Sequence, residues 1–346
     1  MKSFVRRKGI LHGISAAVGL IAFTTSGTAE IVAQDYERCL ESIDPLAAYR
    51  YCRELASPKY SGRLTGHEGY TAAASWAAGK FAGWGLRPLP GAEDFLLPFP
   101  CPYTVVRSSS MTLLLRDGEG APVEKELEAP DDFLPMLFTD GGSAEAAFVF
   151  AGWGIHAPEL GYDDYEGIDA TGRFVICFRG TPDRERIEFE EHDHHRRRME
   201  TARRMGAAGL FYIYEEPLAN PNGERIEGFL CGIVSEAVTD TLLRGTGWQV
   251  ESLRDTLALT RRTFSFPLNA GARFSAEVEH DPDAVGYNVA AMLSGSDPSS
   301  ARTCVVVGAH LDHCGAHMGM IFPGAQDNAS GSAVVMEIAR AFSSLG

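Results

Sequence analysis

Val306-Val307-Gly308-Ala309-His310-Leu311-Asp312-His313 ends an apolar run from Thr303 on a histidine and a carboxylate, and Gly324-Ala325-Gln326-Asp327-Asn328-Ala329-Ser330-Gly331 follows after a short loop. The nearly unbroken apolar run Thr303–Ala309 predicts a strand buried on both faces. Beyond the second stretch, Ala329–Leu345 places Val334, Val335, Ile338, Ala341, Phe342 and Leu345 on one helical face. Strand, polar loop and helix in that order predict an α/β sheet. Ligands of such sheets bind beyond the carboxyl ends of the strands, which is where His310 falls.

If the backbone stays extended past the strand, His310 and Asp312, two residues apart, point to the same side. A metal-bound imidazole usually gives its second ring N–H to a carboxylate, which fixes its tautomer and raises its basicity, and Asp312 has the position to serve His310. Asp327 precedes the predicted helix, where an anion is favoured, and a carboxylate held there has one oxygen for each of two cations.

These two stretches resemble the first half of the site of the M28 peptidases, the family of cocatalytic di-zinc aminopeptidases and their relatives. The resemblance implies that His310 and Asp327 are metal ligands, Asp327 shared between two zinc ions, and that Asp312 orients His310. The residue before the shared Asp is often acidic in that family; here it is Gln326. The family's Glu-Glu pair, which carries the general base, and its remaining ligands come well after the Asp-Asn motif. The resemblance therefore implies a chain incomplete within its catalytic domain, and inactive as it stands. Glu337 does not match the Glu-Glu position.

The resemblance extends outward. Leu55-Ala56-Ser57-Pro58-Lys59-Tyr60-Ser61-Gly62-Arg63-Leu64-Thr65-Gly66, with Gly83-Trp84-Gly85-Leu86-Arg87-Pro88, is similar to the N-terminal helical part of such peptidases, and Tyr287-Asn288-Val289 to the strand opening their catalytic domain. Phe148–Ile155, Tyr162–Tyr165, Gly172–Ile176 and Gly206–Gly209, in that order, resemble the protease-associated domain often inserted in them. The implied architecture is α/β: a peptidase core with a mostly parallel, mixed sheet flanked by helices, plus a β-rich insert. Its expected parts are 1–29 a signal peptide, 30–94 the helical opening of the core, 95–266 the protease-associated-like insert, and 267–346 the first part of the catalytic domain. Helices are predicted over Pro45–Ala56, Gly66–Gly85 and Asp193–Met205, and strands over Met111–Leu115, Ala146–Phe150, Arg173–Phe178, Leu210–Tyr214 and Tyr287–Leu293.

Residues 1–29 carry Arg6, Arg7 and Lys8, an apolar run Gly9–Phe23 and small residues through Ala29, the three-part pattern of an export signal. The run is short for a permanent membrane span, which needs about 20 apolar residues, so a secreted or periplasmic protein is expected. The chain carries 31 basic and 46 acidic residues, a net charge of −15. Removing the leader takes four basic residues and deepens the deficit. Such a surface repels phosphate backbones, which argues against nucleic acid as a partner. The basic stretch His192–Arg204 lies among Asp183, Glu185, Glu188, Glu190 and Glu191 and predicts a solvated mixed-charge helix, with His192, His194 and His195 exposed rather than ligating.

Seven cysteines leave at least one unpaired in an oxidising compartment. Cys39 and Cys52 are close enough in sequence to bridge. Cys177 and Cys304, each in an apolar run, are expected to be buried thiols, Cys314 an incidental thiol, and His313 and His317 loop residues. A peptide or protein is the substrate that the resemblance implies, cleaved by a metal-activated water. Two other readings stay open: a non-catalytic binding or scaffold protein on the same fold, and acyl transfer of the glutaminyl cyclase kind.

Overall fold

The computed structural model describes residues 17–22, 29–183, 185–215, 223–295, 299 and 302–345. It divides into two compact units, one formed by 1–103, 281–316 and 320–346, the other by 104–280 and 317–319. The units change at 103/104 and 280/281, so residues 95–103 and 267–280 lie across the expected insert boundaries.

The first unit begins with β1 (Ala17–Ala22), α1 (Ala29–Glu41), α2 (Pro45–Leu55), α3 (Glu68–Gly83) and β2 (Leu96–Pro100). Helix α2 starts where Asp44 accepts a hydrogen bond from Leu46 N at 2.8 Å and Pro45 supplies a preset φ in the first turn. Helix α3 buries Tyr70, Ala73, Ala74, Ala77 and Phe81, one face at helical spacing, while Ala72 is exposed.

The chain then builds the second unit with β3 (Tyr103–Arg116), β4 (Pro122–Glu126), β5 (Phe133–Pro135), β6 (Gly142–Ala151), β7 (His156–Ala157), β8 (Tyr162–Asp163), β9 (Phe174–Phe178), α4 (His195–Arg204), β10 (Gly209–Tyr214), β11 (Leu230–Ser235), α5 (Glu236–Leu242), α6 (Val250–Thr260) and β12 (Ser265–Asp281). Its eight-stranded sheet runs β4-β3-β12-β6-β9-β10-β11-β5. Strands β6, β9, β10 and β11 are mutually parallel, and β12 and β5 flank them antiparallel. Phe148, Phe174, Phe211 and Phe274 meet in the core in tilted and edge-to-face pairs, geometries their ring quadrupoles favour. Buried Asp164 pins the turn after β6, accepting from Trp153 N (3.0 Å), Ile155 N (3.1 Å) and Tyr162 Oη (3.0 Å). Gly152 has φ +41°, and a Cβ there would lie 2.3 Å from Asp164 Oδ1, so only glycine fits.

Returning to the first unit, the chain adds β13 (Val285–Leu293), β14 (Val305–His310) and α7 (Ser330–Ser343). The sheet order is β14-β1-β13-β2, a mixed sheet in which β1 runs parallel to β13 and antiparallel to β14. The segment read as a leader thus contributes a strand; its other residues, 1–16 and 23–28, lie outside the described ones. Tyr70, Phe81, Val289, Leu311, Val335, Met336 and Ala339 form this unit's core.

Several expectations are corrected here. Strand β14 is an edge of its sheet and not buried on both faces, with Val305 53% and Val306 66% exposed. Helix α7 buries Ala333, Val335, Met336, Ala339 and Ala341, while Val334 and Leu345 are exposed, so its buried face is turned from the expected one. Cys39 and Cys52 sit on separate helices, and all seven cysteines are free; Cys177 is buried but Cys304 is exposed. Helix α4 is no solvated helix: His195, Arg198, Met199, Thr201 and Ala202 are buried. His192 is buried too, 3.2 Å from Glu159, and the His195 ring packs on Tyr212 with centroids 4.8 Å apart. Arg198 donates to Trp153 O at 2.8 Å and forms an ion pair with Asp193 at 2.8 Å, an opposite charge that a buried guanidinium needs.

Candidate metal centre

Strand β14 ends on His310, and the chain turns at once into Leu311, whose side chain is fully buried and anchors the turn. Asp312 returns towards His310, its Oδ1 3.4 Å from His310 Nδ1. On the other side of the ring, His310 Nε2 is 2.9 Å from Asp327 Oδ1. The structure therefore brings all three expected residues together, with the imidazole between two carboxylates.

Asp327 does not sit on the helix itself. Its φ and ψ are −119° and 91°, outside the helical region, and helix α7 starts three residues later. The Asp327–Asn328 peptide is cis. Asn328 Oδ1 accepts from Gly331 N at 3.0 Å, which caps one free N–H of the first turn. A Cβ on Gly331 would lie 2.3 Å from that oxygen, so the glycine is a packing requirement of the cap. Ser332 Oγ, one turn into the helix, donates to His310 O at 2.9 Å and ties strand end to helix start.

The electrostatics divide the two carboxylates. Asp327 keeps 71% of its side chain exposed, open to a ligand from solvent. Asp312 is mostly covered; burial pushes its carboxyl above the usual range, opposed first by His310. That arrangement suits Asp312 to orient the ring and Asp327 to reach outward. Nearby, burial pulls His313 down and pushes the Cys314 thiol up to about 11, which keeps that sulfur protonated and a poor ligand at neutral pH. His317 belongs to the other unit, where its Nε2 donates to Pro135 O at 2.8 Å; it is buried, not a free loop residue.

Glu337 is buried and accepts hydrogen bonds from both Arg340 Nη2 and Asp44 N at 2.7 Å, the guanidinium balancing its charge. It is a structural anion. A residue without an assigned role in the sequence, Arg63, lies fully buried behind the segments that carry His310 and Asp327. Among the described residues, no group of three or more His, Cys, Asp or Glu side chains converges as a complete metal cage.

Residues 288–346, which hold β13, β14, both motif stretches and α7, match the model of peptidase family M28. That match makes this segment similar to peptidase family M28 over 59 of the 346 residues. The described fold also resembles the aminopeptidase from Aneurinibacillus sp. strain AM-1, at a TM-score of 0.51 and 14% identity over 90% of this chain and 61% of that one. A zinc aminopeptidase from Bacillus subtilis aligns at a TM-score of 0.45 and 16% identity, over 87% of this chain and 58% of its own. The chain thus spans about three fifths of the length of these solved structures. No curated protein matches it. The matched segment contains all three site residues named from the sequence.

Proposed function

We propose that this protein is an exported zinc-dependent peptidase of the aminopeptidase type, with His310 and Asp327 as metal ligands and Asp312 as the residue that orients His310. The observation that carries the reading is the placement of the His310 ring between Asp327 at 2.9 Å and Asp312 at 3.4 Å, at the carboxyl end of a strand in the M28-matching segment. The donor chemistry fits zinc, which takes imidazole nitrogen and carboxylate oxygen, with a carboxylate behind the ring raising its basicity. Zinc held there supplies Lewis acidity and an ionised water at neutral pH.

The chain's own contribution is positional. Asp312 fixes which ring nitrogen of His310 stays free, Ser332 holds the main chain of His310, and Asn328 holds the first turn behind Asp327. Two donors do not complete the four that a zinc ion commonly takes, so residues 1–346 alone are expected to bind metal without turning over substrate. Two ions sharing Asp327, and a protease-associated role for residues 104–280, are parts of the same proposal. No described helix is long and apolar enough to cross a membrane. Export through the leader is supported by its charge and apolar pattern; cleavage after Ala29 would take β1 out of the sheet between β14 and β13.

The test is hydrolysis of aminoacyl-nitroanilides by the protein isolated from its source. Turnover lost to a chelator and restored by zinc is expected. Absence of any chelator-sensitive cleavage across a panel of N-terminal residues would overturn the peptidase reading, and cyclisation of an N-terminal glutamine peptide instead would replace it.

A further inference from the structure

The loop Ser61-Gly62-Arg63 in the first unit runs against the two segments that carry the candidate ligands. Gly62 O accepts from Gly315 N at 2.9 Å and Arg63 O from His313 N at 3.0 Å. Gly62 has φ +71°, and a Cβ there would lie 2.2 Å from Gly315 O and 2.6 Å from Phe322 O, so the backbones meet as closely as glycine allows.

The side chain of Arg63 then turns inward. Its Nε donates to Leu311 O at 2.8 Å, Nη1 to Leu55 O at 2.5 Å and to Pro323 O at 2.8 Å, and Nη2 to Gly324 O at 2.8 Å. Leu311 lies between His310 and Asp312. Pro323 and Gly324 lead into Asp327. One fully buried guanidinium thus joins, through main-chain carbonyls alone, the segments on which His310 and Asp327 depend. Carbonyls in such a turn have no ladder partner and would be costly to bury unpaired. The planar fork of an arginine reaches several at fixed angles, which the compact, strongly hydrated ammonium of a lysine does not.

The geometry points to Arg63 as a positioning residue for the metal centre: it sets the separation of His310 and Asp327 and thereby the affinity of the site, beyond any share it has in holding the unit folded. This rests on the proposed reading of His310 and Asp327 as ligands.

The experiment compares zinc affinity, by competition with a chromophoric chelator, and the visible spectrum of bound cobalt in the unaltered chain, in Arg63→Lys and in Val289→Ala. The last truncates a fully buried core side chain of the same unit on β13, one strand removed from β14, and measures what lost stability alone does. Arg63→Lys is expected to weaken zinc at least tenfold and to alter the cobalt spectrum, while Val289→Ala keeps affinity within twofold and the spectrum unchanged. Equal losses in both variants, or no loss in Arg63→Lys, would overturn the role. Hydrogen exchange on the unaltered chain decides the case if Arg63→Lys does not fold or if no metal binds, the latter being a failure of the ligand reading alone. The amides of His313, Gly315 and Ala329 are expected to exchange no faster than those of β13; local opening of these amides well ahead of β13 would show that Arg63 does not hold the segments together.

Discussion

His310 Nε2 and Asp327 Oδ1 stand 2.9 Å apart, although one ends a strand and the other lies in the non-helical bend before a helix. That separation puts a ring nitrogen and a carboxylate oxygen side by side, the two donor types that a cation held there would take. Behind the ring, Asp312 is the covered member of the trio, and its effect on the site passes through the imidazole.

Asp312→Asn should therefore keep the donor atoms and weaken them. Loss of an outer carboxylate behind a ligating histidine typically costs about 10–100-fold in metal affinity or activity. Chelator competition on the variant is expected to fall in that range with circular dichroism unchanged. A loss as large as that of His310→Ala would make Asp312 a ligand in its own right.

Glu337 is the carboxylate nearest in sequence that a catalytic reading would reach for, and the structure commits it elsewhere. It is buried against Arg340 and accepts from Asp44 N at 2.7 Å. Breaking a buried pair leaves an uncompensated charge; since Arg340 keeps part of its side chain in solvent, Glu337→Ala should cost about 2–4 kcal/mol in urea unfolding. Zinc affinity of the folded variant should not change, and a selective loss of zinc affinity would contradict the structural assignment.

Much of the site is legible in the sequence because it is local. His310 ends a strand with Asp312 two residues on, although the strand stops at His310, and Asp327 lies in a loop that must open into a helix; both motifs sit in a few consecutive residues. Arg63 is not legible in this way. Its partners are carbonyls, which leave no mark on residue identity, and an arginine in a polar, glycine-containing loop gives no sign of burial. The same holds for His195 and Arg198 on α4, whose charged sequence predicts exposure while Tyr212 on β10 and Trp153 O after β6, both distant in sequence, meet them inside the unit. Helices α5 and α6 fall in a stretch dominated by strand and turn signals. The exposure of Val305, Val306 and Cys304 follows from the place of β14 at the sheet edge, and sheet order is not written in any one strand.

That edge carries its own expectation. Val306 is 66% exposed on a strand that, among the described residues, pairs on one side, the arrangement that invites pairing with another chain. Val306→Lys should shift light-scattering measurements towards the monomer and raise soluble yield without lowering the unfolding midpoint by more than about 0.5 kcal/mol equivalent. An unchanged size distribution would show that the edge is not the point of association.

Two histidines of the second unit should respond to pH in a defined direction. Burial pulls both His195 and His317 down to about 4, against about 6.5 in an unfolded chain. As pH falls from about 6.5 to about 4, the unfolded chain takes up protons that the native state refuses, so the stability contributed by the two neutral rings is present above that window and lost through it. Burial raises Asp164 to about 7, which acts in the opposite sense over about pH 4 to 7, one group against two. Imidazole NMR is expected to show these two rings, out of ten histidines, still neutral at pH 5. Titration of both near 6.5 would contradict their burial.

The central claim is that His310 and Asp327 together hold a metal ion, and zinc affinity measured side by side on the unaltered chain, His310→Ala and Asp327→Asn tests it most directly. The account expects saturable zinc binding by residues 1–346, at least a hundredfold weaker in His310→Ala and strongly weakened in Asp327→Asn, with the fold retained in both. Zinc binding that is absent from the unaltered chain, or that survives both substitutions undiminished, would contradict it.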